Sequence, residues 1–93
     1  MVVGLITWEL HLDGCQSLKD KRHVLESLKD RLHHRFNVSA AETDHQDAWQ
    51  RAELSVCVVS TDRQHVEKVL QAADKLVDGA DGARIVDTST SYL

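Results

Sequence analysis

The stretch Asp44-His45-Gln46-Asp47-Ala48-Trp49-Gln50-Arg51 separates two segments that have the period-2 pattern of β-strands. Val38–Thr43 precedes it and Ala52–Ser60 follows it. We therefore interpret the stretch as a hairpin loop around which the rest of the fold is arranged. It carries carboxylates, a histidine, amides, a tryptophan and an arginine, which is more than a turn requires, and loops on rigid scaffolds often carry functional sites.

Upstream of the hairpin, the sequence predicts a strand followed by a helix. Ser17 is expected to be the N-cap of the helix, with Asp20 at the third helical position of a capping-box arrangement. The helix then extends to about Arg35. The apolar face of the strand is predicted to contain Val2, Ile6, Trp8, Leu10 and Leu12, and the apolar stripe of the helix is predicted to contain Leu18, Val24, Leu25, Leu28, Leu32 and Phe36.

Downstream of the hairpin, the sequence predicts a second helix and a last strand. Thr61 or Asp62 caps a helix that runs from Arg63 to about Val77, and Gly79 ends it. A short strand is expected around 83–88, and the tail 89–93 either pairs or frays.

This element order, β-α-β-β-α-β, predicts an α+β fold of the ferredoxin-like type, with a four-stranded antiparallel sheet and two helices on one face. Residues 1–93 are expected to form one such domain. The topology brings three connections to the same end of the sheet, which we call the top edge. These connections are Asp13–Ser17, Asp44–Arg51 and Asp78–Gly82.

The composition is that of an ordinary globular protein, with 42% hydrophobic and 28% charged residues. No leader peptide and no apolar run of spanning length is apparent, so we expect a cytoplasmic protein without a membrane partner. Cys15 and Cys57 show neither disulfide nor zinc-ligand spacing, and we expect free thiols and no cofactor. The formal net charge of -4 argues against binding nucleic acid over the whole surface but leaves room for a local basic site.

The first turn of the first helix is basic, which is unfavourable beside the positive end of the helix dipole. Its cations are Lys19, Lys21 and Arg22. Two explanations remain open at this point. Either the turn binds an external anion, or Asp44 and Asp47 at the same end of the sheet neutralise it as structural salt bridges.

Several motifs resemble those of the bacterial YlxP-like family of domains of unknown function. They are Ser17-Leu18-Lys19-Asp20-Lys21-Arg22, Arg35-Phe36-Asn37-Val38-Ser39 and the hairpin stretch Asp44–Arg51. The resemblance covers nearly the whole chain and implies a ferredoxin-like fold. Similar genes tend to lie beside those for translation initiation and ribosome maturation factors, which implies a role near the ribosome. The family brings no activity or catalytic residue.

From these features the sequence favours a non-enzymatic binding module that contacts RNA or a ribosomal subunit. Trp49 is expected either to stack on a partner or to anchor the loop over the sheet edge. The expected anion or RNA contacts are Ser17, Lys19, Lys21, Arg22, His45, Gln46, Trp49, Gln50 and Arg51.

The alternative is a small enzyme that binds a metal or a phosphoryl ligand through Asp44, His45 and Asp47. No metal-ligand spacing such as HExxH supports it, so no metal is expected. A hydrolase triad of Ser17, His45 and Asp44 has no nucleophile elbow. Cys15 is a lone loop cysteine, for which an inert thiol is the simpler interpretation.

The face of the sheet away from the helices, which we call the open face, is predicted to have a small apolar centre. An uncovered face should be polar, so we expect a homodimer through it, unless the tail folds across it instead. The residues of this dimer face are Val3, Leu5, Thr7, Ser55, Cys57 and Val59.

Overall fold

The computed structural model describes all residues from Met1 to Leu93 and has the predicted element order. The strands form one antiparallel sheet in the order β2-β3-β1-β4, so β1 and β3 are central and β2 and β4 are the edges. The predicted sheet with two helices is confirmed. The elements are β1 (Val2–His11), α1 (Leu18–Arg35), β2 (Ser39–Asp44), β3 (Arg51–Ser60), α2 (Arg63–Asp78) and β4 (Arg84–Tyr92).

The core lies between the sheet and the helices, where the alternation of β1 predicts it. Trp8 is fully buried, and its Nε1 donates to Asp74 Oδ1 on α2 at 2.8 Å. Gly4 allows α2 to approach β1 closely, because a Cβ atom there would clash with Val66 Cγ1 and lie 3.0 Å from Leu70 Cδ1. Further buried side chains of the strands are Ile6, Leu10, Ala52, Leu54, Val56 and Val58.

The two helices cover different strands. Helix α2 packs over β1 and β3, whereas α1 lies over β2. Because β2 is the strand beneath α1, part of the apolar stripe of α1 has no sheet below it. Leu18 was predicted to be in the core but is 42% exposed, and Val24 and Phe36 are half-buried. No helix is long and apolar enough to cross a membrane.

The helix ends largely follow the predicted capping. Ser17 Oγ accepts from Asp20 N at 3.1 Å, while Asp20 Oδ2 accepts from Gln16 N at 3.0 Å. Of the two candidates for the second cap, Asp62 is the N-cap of α2, and its side chain accepts from Gln64 N at 3.0 Å. Each cap satisfies a backbone donor that the helix leaves without a partner.

The last strand is longer than the sequence predicts. β4 continues through the tail to Tyr92 and pairs with β1, and Leu93 N donates to Val3 O at 2.8 Å. The expectation that the tail might fold across the open face is therefore wrong, because pairing beside β1 satisfies its backbone groups. The open face stays uncovered by the chain itself.

Candidate functional site

Two connections of the top edge, Asp13–Ser17 and Asp44–Arg51, contact each other, and Gly82 of the third lines a groove with Asp13 and Gly14. Leu12 N donates to Gln50 O at 2.8 Å, and Gln50 Nε2 donates to Cys15 O at 3.1 Å. On the other side, Arg84 Nε lies 3.5 Å from Asp13 Oδ2. The hairpin and the segment before α1 thus form one continuous surface.

Lys21 is the buried link between α1 and the hairpin. The residue is only 2% exposed, although its place in the first turn predicted a surface cation. Its Nζ donates to the carbonyl oxygens of His45 at 2.6 Å and Ala48 at 2.7 Å, and it lies 2.7 Å from Glu42 Oε2 as an ion pair. A buried ammonium is tolerated when it is paired and hydrogen-bonded. Lys21 therefore holds the loop and is not available to an external anion or RNA, which corrects its predicted role.

His45 begins the loop in the left-handed backbone region, with a φ of 63°. This conformation is uncommon for a residue other than glycine and needs support from its surroundings. The His45 N–H donates to Asp44 Oδ1 at 2.7 Å, and its carbonyl accepts from Ala48 N at 3.0 Å and from Lys21. These contacts fix the loop backbone on both sides of the turn.

The His45 ring is held by Glu9 on the open face. Its Nε2 lies 2.9 Å from Glu9 Oε1 and 3.1 Å from Oε2, and Arg51 Nη2 donates to Oε1 at 3.1 Å. The side chains of His45 and Glu9 are mostly buried, whereas that of Arg51 is exposed. The carboxylate joins β1 to both ends of the loop.

Trp49 is the exposed aromatic side chain of this fixed loop. It is 53% exposed, in contrast to the fully buried Trp8. A tryptophan that anchored the loop over the sheet edge would be largely covered, so this exposure does not fit the anchor interpretation. Gln46 is also exposed and lines a groove with Arg22 of α1.

The other polar groups of the first turn differ from Lys21. Lys19 and Arg22 are exposed and form no ion pair, while the Ser17 hydroxyl is occupied as the helix cap. Of the three first-turn cations, Lys21 is thus paired with a carboxylate of the chain, whereas Lys19 and Arg22 are not. Internal pairing therefore holds for Lys21 alone, and binding of an external anion by Lys19 and Arg22 stays a prediction.

Asp44 and Asp47 do not neutralise the first-turn cations, which corrects the expected salt bridges. Asp44 accepts from the His45 N–H, and Asp47 is exposed and forms no ion pair. The carboxylate at Lys21 comes from Glu42, because strand alternation turns Glu42 toward α1. Asp44 follows the register shift at the end of β2, and Asp47 lies beyond it in the loop. Neither carboxylate therefore occupies the position opposite Lys21.

The sequence reasoning missed Glu42 and Glu9 as residues that hold the hairpin. A signal for Glu42 was present, since it shares the helix-facing side of β2 with Ala40, and a charge on such a face needs a partner. Glu9 lies opposite Glu53 in the neighbouring strand. Two facing carboxylates are unfavourable without a nearby cation, and Arg51 supplies one at Glu9.

The residues considered for catalysis are engaged elsewhere. Ser17 Oγ caps α1, and His45 Nε2 lies at Glu9. Asp44 Oδ1 is 3.9 Å from His45 Nδ1, Asp47 does not join them, and no three His, Cys, Asp or Glu side chains lie close enough together to hold a metal ion. The hairpin residues do not assemble into the proposed triad or metal site.

Cys15 is a buried, free thiol, and Cys57 is also free. Burial raises the pKa of the Cys15 thiol, and the charge of Asp20 raises it further, while Lys21 acts in the opposite direction. The thiolate is the nucleophilic form. A raised pKa therefore disfavours a catalytic role for Cys15.

Comparisons with known proteins show the family and the fold of this chain. A family model described as "Protein of unknown function (DUF503)" matches residues 3–90. The chain belongs to this family. A relative, the "Uncharacterized protein YlxP" of Bacillus subtilis (strain 168), is 36% identical over 77 residues, which cover 83% of this chain and 84% of the relative. The resemblance seen in the sequence motifs is confirmed.

The chain is also similar to a solved structure, a de novo designed protein with a ferredoxin fold determined by solution NMR. The TM-score is 0.57 at 7% identity, and the match covers 100% of this chain and 83% of the designed one. At this identity the similarity shows the fold alone. It confirms the ferredoxin-like arrangement of this DUF503 member.

Proposed function

We propose that this DUF503 member is a non-enzymatic, cytoplasmic binding module whose top edge contacts structured RNA on a ribosomal subunit. The observation that carries the proposal is the exposed Trp49 in a loop whose backbone is held by Lys21. A loop that is already fixed loses little conformational freedom on binding. Its indole ring can stack on an unpaired base, whatever the identity of that base.

Lys19 and Arg22 supply the positive charge of the proposed contact. Neither has an internal carboxylate partner, and cations of this kind contact phosphate groups well. Gln46, beside Arg22, offers hydrogen-bond donors and acceptors to a base edge. With a formal net charge of -4, the attraction has to be local to this edge.

The remaining residues predicted for the contact have supporting roles in the proposal. Lys21 is buried and does not contact RNA in the proposal. Ser17 caps α1. His45 and Gln50 position the loop through Glu9 and Cys15. Arg51 retains an exposed side chain next to the loop and can serve as an outer contact.

The test is co-sedimentation of the purified protein with ribosomal subunits across a salt series. Phosphate contacts release counterions, so binding should weaken steeply as salt rises. The double variant Lys19→Glu and Arg22→Glu should lose binding at every salt concentration, and Trp49→Ala should weaken it with little change in salt dependence. Arg31→Glu with Arg35→Glu is the matched control, because it changes the charge of the same helix by the same amount at its other end.

Two outcomes would contradict the proposal. One is absence of the protein from every ribosomal fraction at low salt. The other is equal loss of binding in the Lys19 and Arg22 variant and in the control, because only net charge would then matter.

A further inference from the structure

The β2 strand leaves one side of its backbone without a strand partner. It is an edge strand of the sheet, paired with β3 on its other side. Natural edge strands are usually protected by Lys or Pro residues or by a covering element. The β2 sequence Ser39–Asp44 contains neither residue type, and a register shift interrupts its ladder only at the end, between Glu42 and Asp44. Its free N–H and C=O groups can therefore accept a further strand.

A groove lies beside this edge on the helix side of the sheet. It is lined by one row of α1 side chains, which includes Leu18, Arg22 and Lys29, and by Glu42 of β2. Leu18 is 42% exposed although its helical position predicted burial. Leu18 is therefore an exposed apolar side chain in a groove that is otherwise lined mainly by polar and charged residues.

The unbalanced charge of this groove is positive. Glu42 is paired with Lys21 at 2.7 Å, and Glu26 is paired with Lys29 at 3.1 Å. Arg22 has no carboxylate partner among the residues around it. A side chain that enters the groove from an added strand is therefore matched best when it is acidic.

On the open face, the same edge presents small side chains. Ser39 and Ala41 lie next to Leu5 and Cys57 around a second, mostly apolar groove. Successive side chains of a strand point to opposite faces of a sheet. The side chains of an added strand that point to the open face would thus meet an apolar surface of low relief.

We infer that the β2 edge binds an extended segment of a partner protein, in which acidic and apolar side chains alternate, as an additional strand. This is the β-augmentation mode of peptide recognition, in which backbone pairing gives affinity and alternate side chains give specificity. A second copy of this chain fits less well, because pairing β2 with β2 would bring two α1 rows with Arg22 and Lys29 together. The groove shares Arg22 and Gln46 with the proposed RNA contact, whereas Trp49 does not line it.

The test uses two capped nine-residue synthetic peptides, one alternating glutamate with valine and the other alternating lysine with valine. Each is titrated into isotope-labelled protein, and the backbone amide resonances are followed by NMR. We expect the glutamate peptide to shift the resonances of β2 and of the first half of α1, and to bind about tenfold more tightly than the lysine peptide. Equal affinities, no binding at a peptide concentration of about 1 mM, or shifts centred on β4 would overturn the inference.

Protein variants distinguish binding of the peptide in the groove from nonspecific hydrophobic binding. Leu18→Gln should weaken binding of the glutamate peptide, whereas Val86→Gln, at a residue that is 57% exposed on the other edge strand, should not. Arg22→Gln, which removes the cation that has no carboxylate partner, should weaken it by about fivefold, the size expected for one exposed ion pair. Thermal unfolding of each variant checks that the fold is retained, and equal effects of Leu18→Gln and Val86→Gln would argue against the groove.

N-methylation of the peptide tests backbone pairing directly. In a strand, the N–H groups of alternate residues point to the same side. Methylation of either all glutamates or all valines should therefore abolish binding in one peptide and spare it in the other. If neither modification affects binding, strand addition is wrong even if the peptide binds.

Discussion

At the scale of single residues, Lys21 determines how firmly the hairpin is held. Lys21→Met keeps the aliphatic stem but leaves Glu42 and two loop carbonyls without their ammonium partner. Breaking a buried, hydrogen-bonded ion pair costs about 3–5 kcal/mol. Because Glu42 is partly exposed, we expect a loss near the lower limit, about 3 kcal/mol, in the free energy of unfolding measured with urea. Lys19→Met in the same turn is the control, expected within about 0.5 kcal/mol of the parent; similar losses in both variants would rule out the special role of Lys21.

Asp13, also at the residue scale, gives the top edge a dependence on pH. The hydrogen bond from Arg84 holds the pKa of Asp13 below its ordinary value of 3.8 against the opposing effect of desolvation, and His11 contributes in the same direction as Arg84. A carboxyl with a lowered pKa stabilises the fold above that ordinary value, and this stabilisation is lost as the pH falls through the folded-state pKa. We expect Arg84→Gln to raise the pKa of Asp13 in an NMR titration, and to reduce stability at neutral pH but not in strong acid. Arg35→Gln should leave the titration unchanged, and no difference between the two variants would refute the assignment.

At the scale of secondary-structure elements, the contact between β1 and α2 depends on Gly4. Gly4→Ala would push a methyl group into Val66 and Leu70, and the β-branched Val66 cannot easily turn away. Overpacking of this kind costs about 1–3 kcal/mol, which thermal or urea unfolding can measure. Gly14→Ala is the control, since no atom lies within 4 Å of its added methyl group, and it should be neutral or slightly stabilising. A stable Gly4→Ala variant would mean that α2 can shift without cost.

The placement of the strands and helices explains which buried residues the sequence could predict. Alternation in β1 and the helical stripe of α2 identified buried residues such as Trp8 and Val66, because each pattern has a single apolar side. Burial of Lys21 and exposure of Leu18 could not be read from α1 alone. They follow from the lateral position of α1 over β2, which depends on how both helices share the sheet. The position of the hairpin was predicted correctly. The carboxylate that pairs with Lys21, that of Glu42, lies in a strand that looked purely structural in the sequence.

At the scale of the whole molecule, we propose that a second copy covers the open face. Thr7 Oγ1 and Ser55 Oγ are 3.0 Å apart, so the polar groups at its centre satisfy each other and can be buried. Val59 is 60% exposed there. Light scattering of the parent protein should show a dimer at concentrations on the order of tens of micromolar, and Val59→Glu should show a monomer. Val86→Glu is the control, and a parent protein that is monomeric at this concentration would end the proposal. Within one copy, the open-face residues of β1 and β3 lie side by side as the pairs Val3–Val59, Leu5–Cys57 and Thr7–Ser55.

The central place of β1 in the sheet also affects how the chain is made. Of the four strands β1 is synthesised first, and both of its neighbours, β3 and β4, come later in the chain. At about 5–20 residues per second, roughly 4 to 15 s pass between the completion of His11 and the start of β4 at Arg84. During this interval the apolar strand that contains Trp8 cannot complete its pairing. The nascent chain therefore leaves one edge of β1 unpaired until β4 emerges, and its need for a chaperone should be greatest before then.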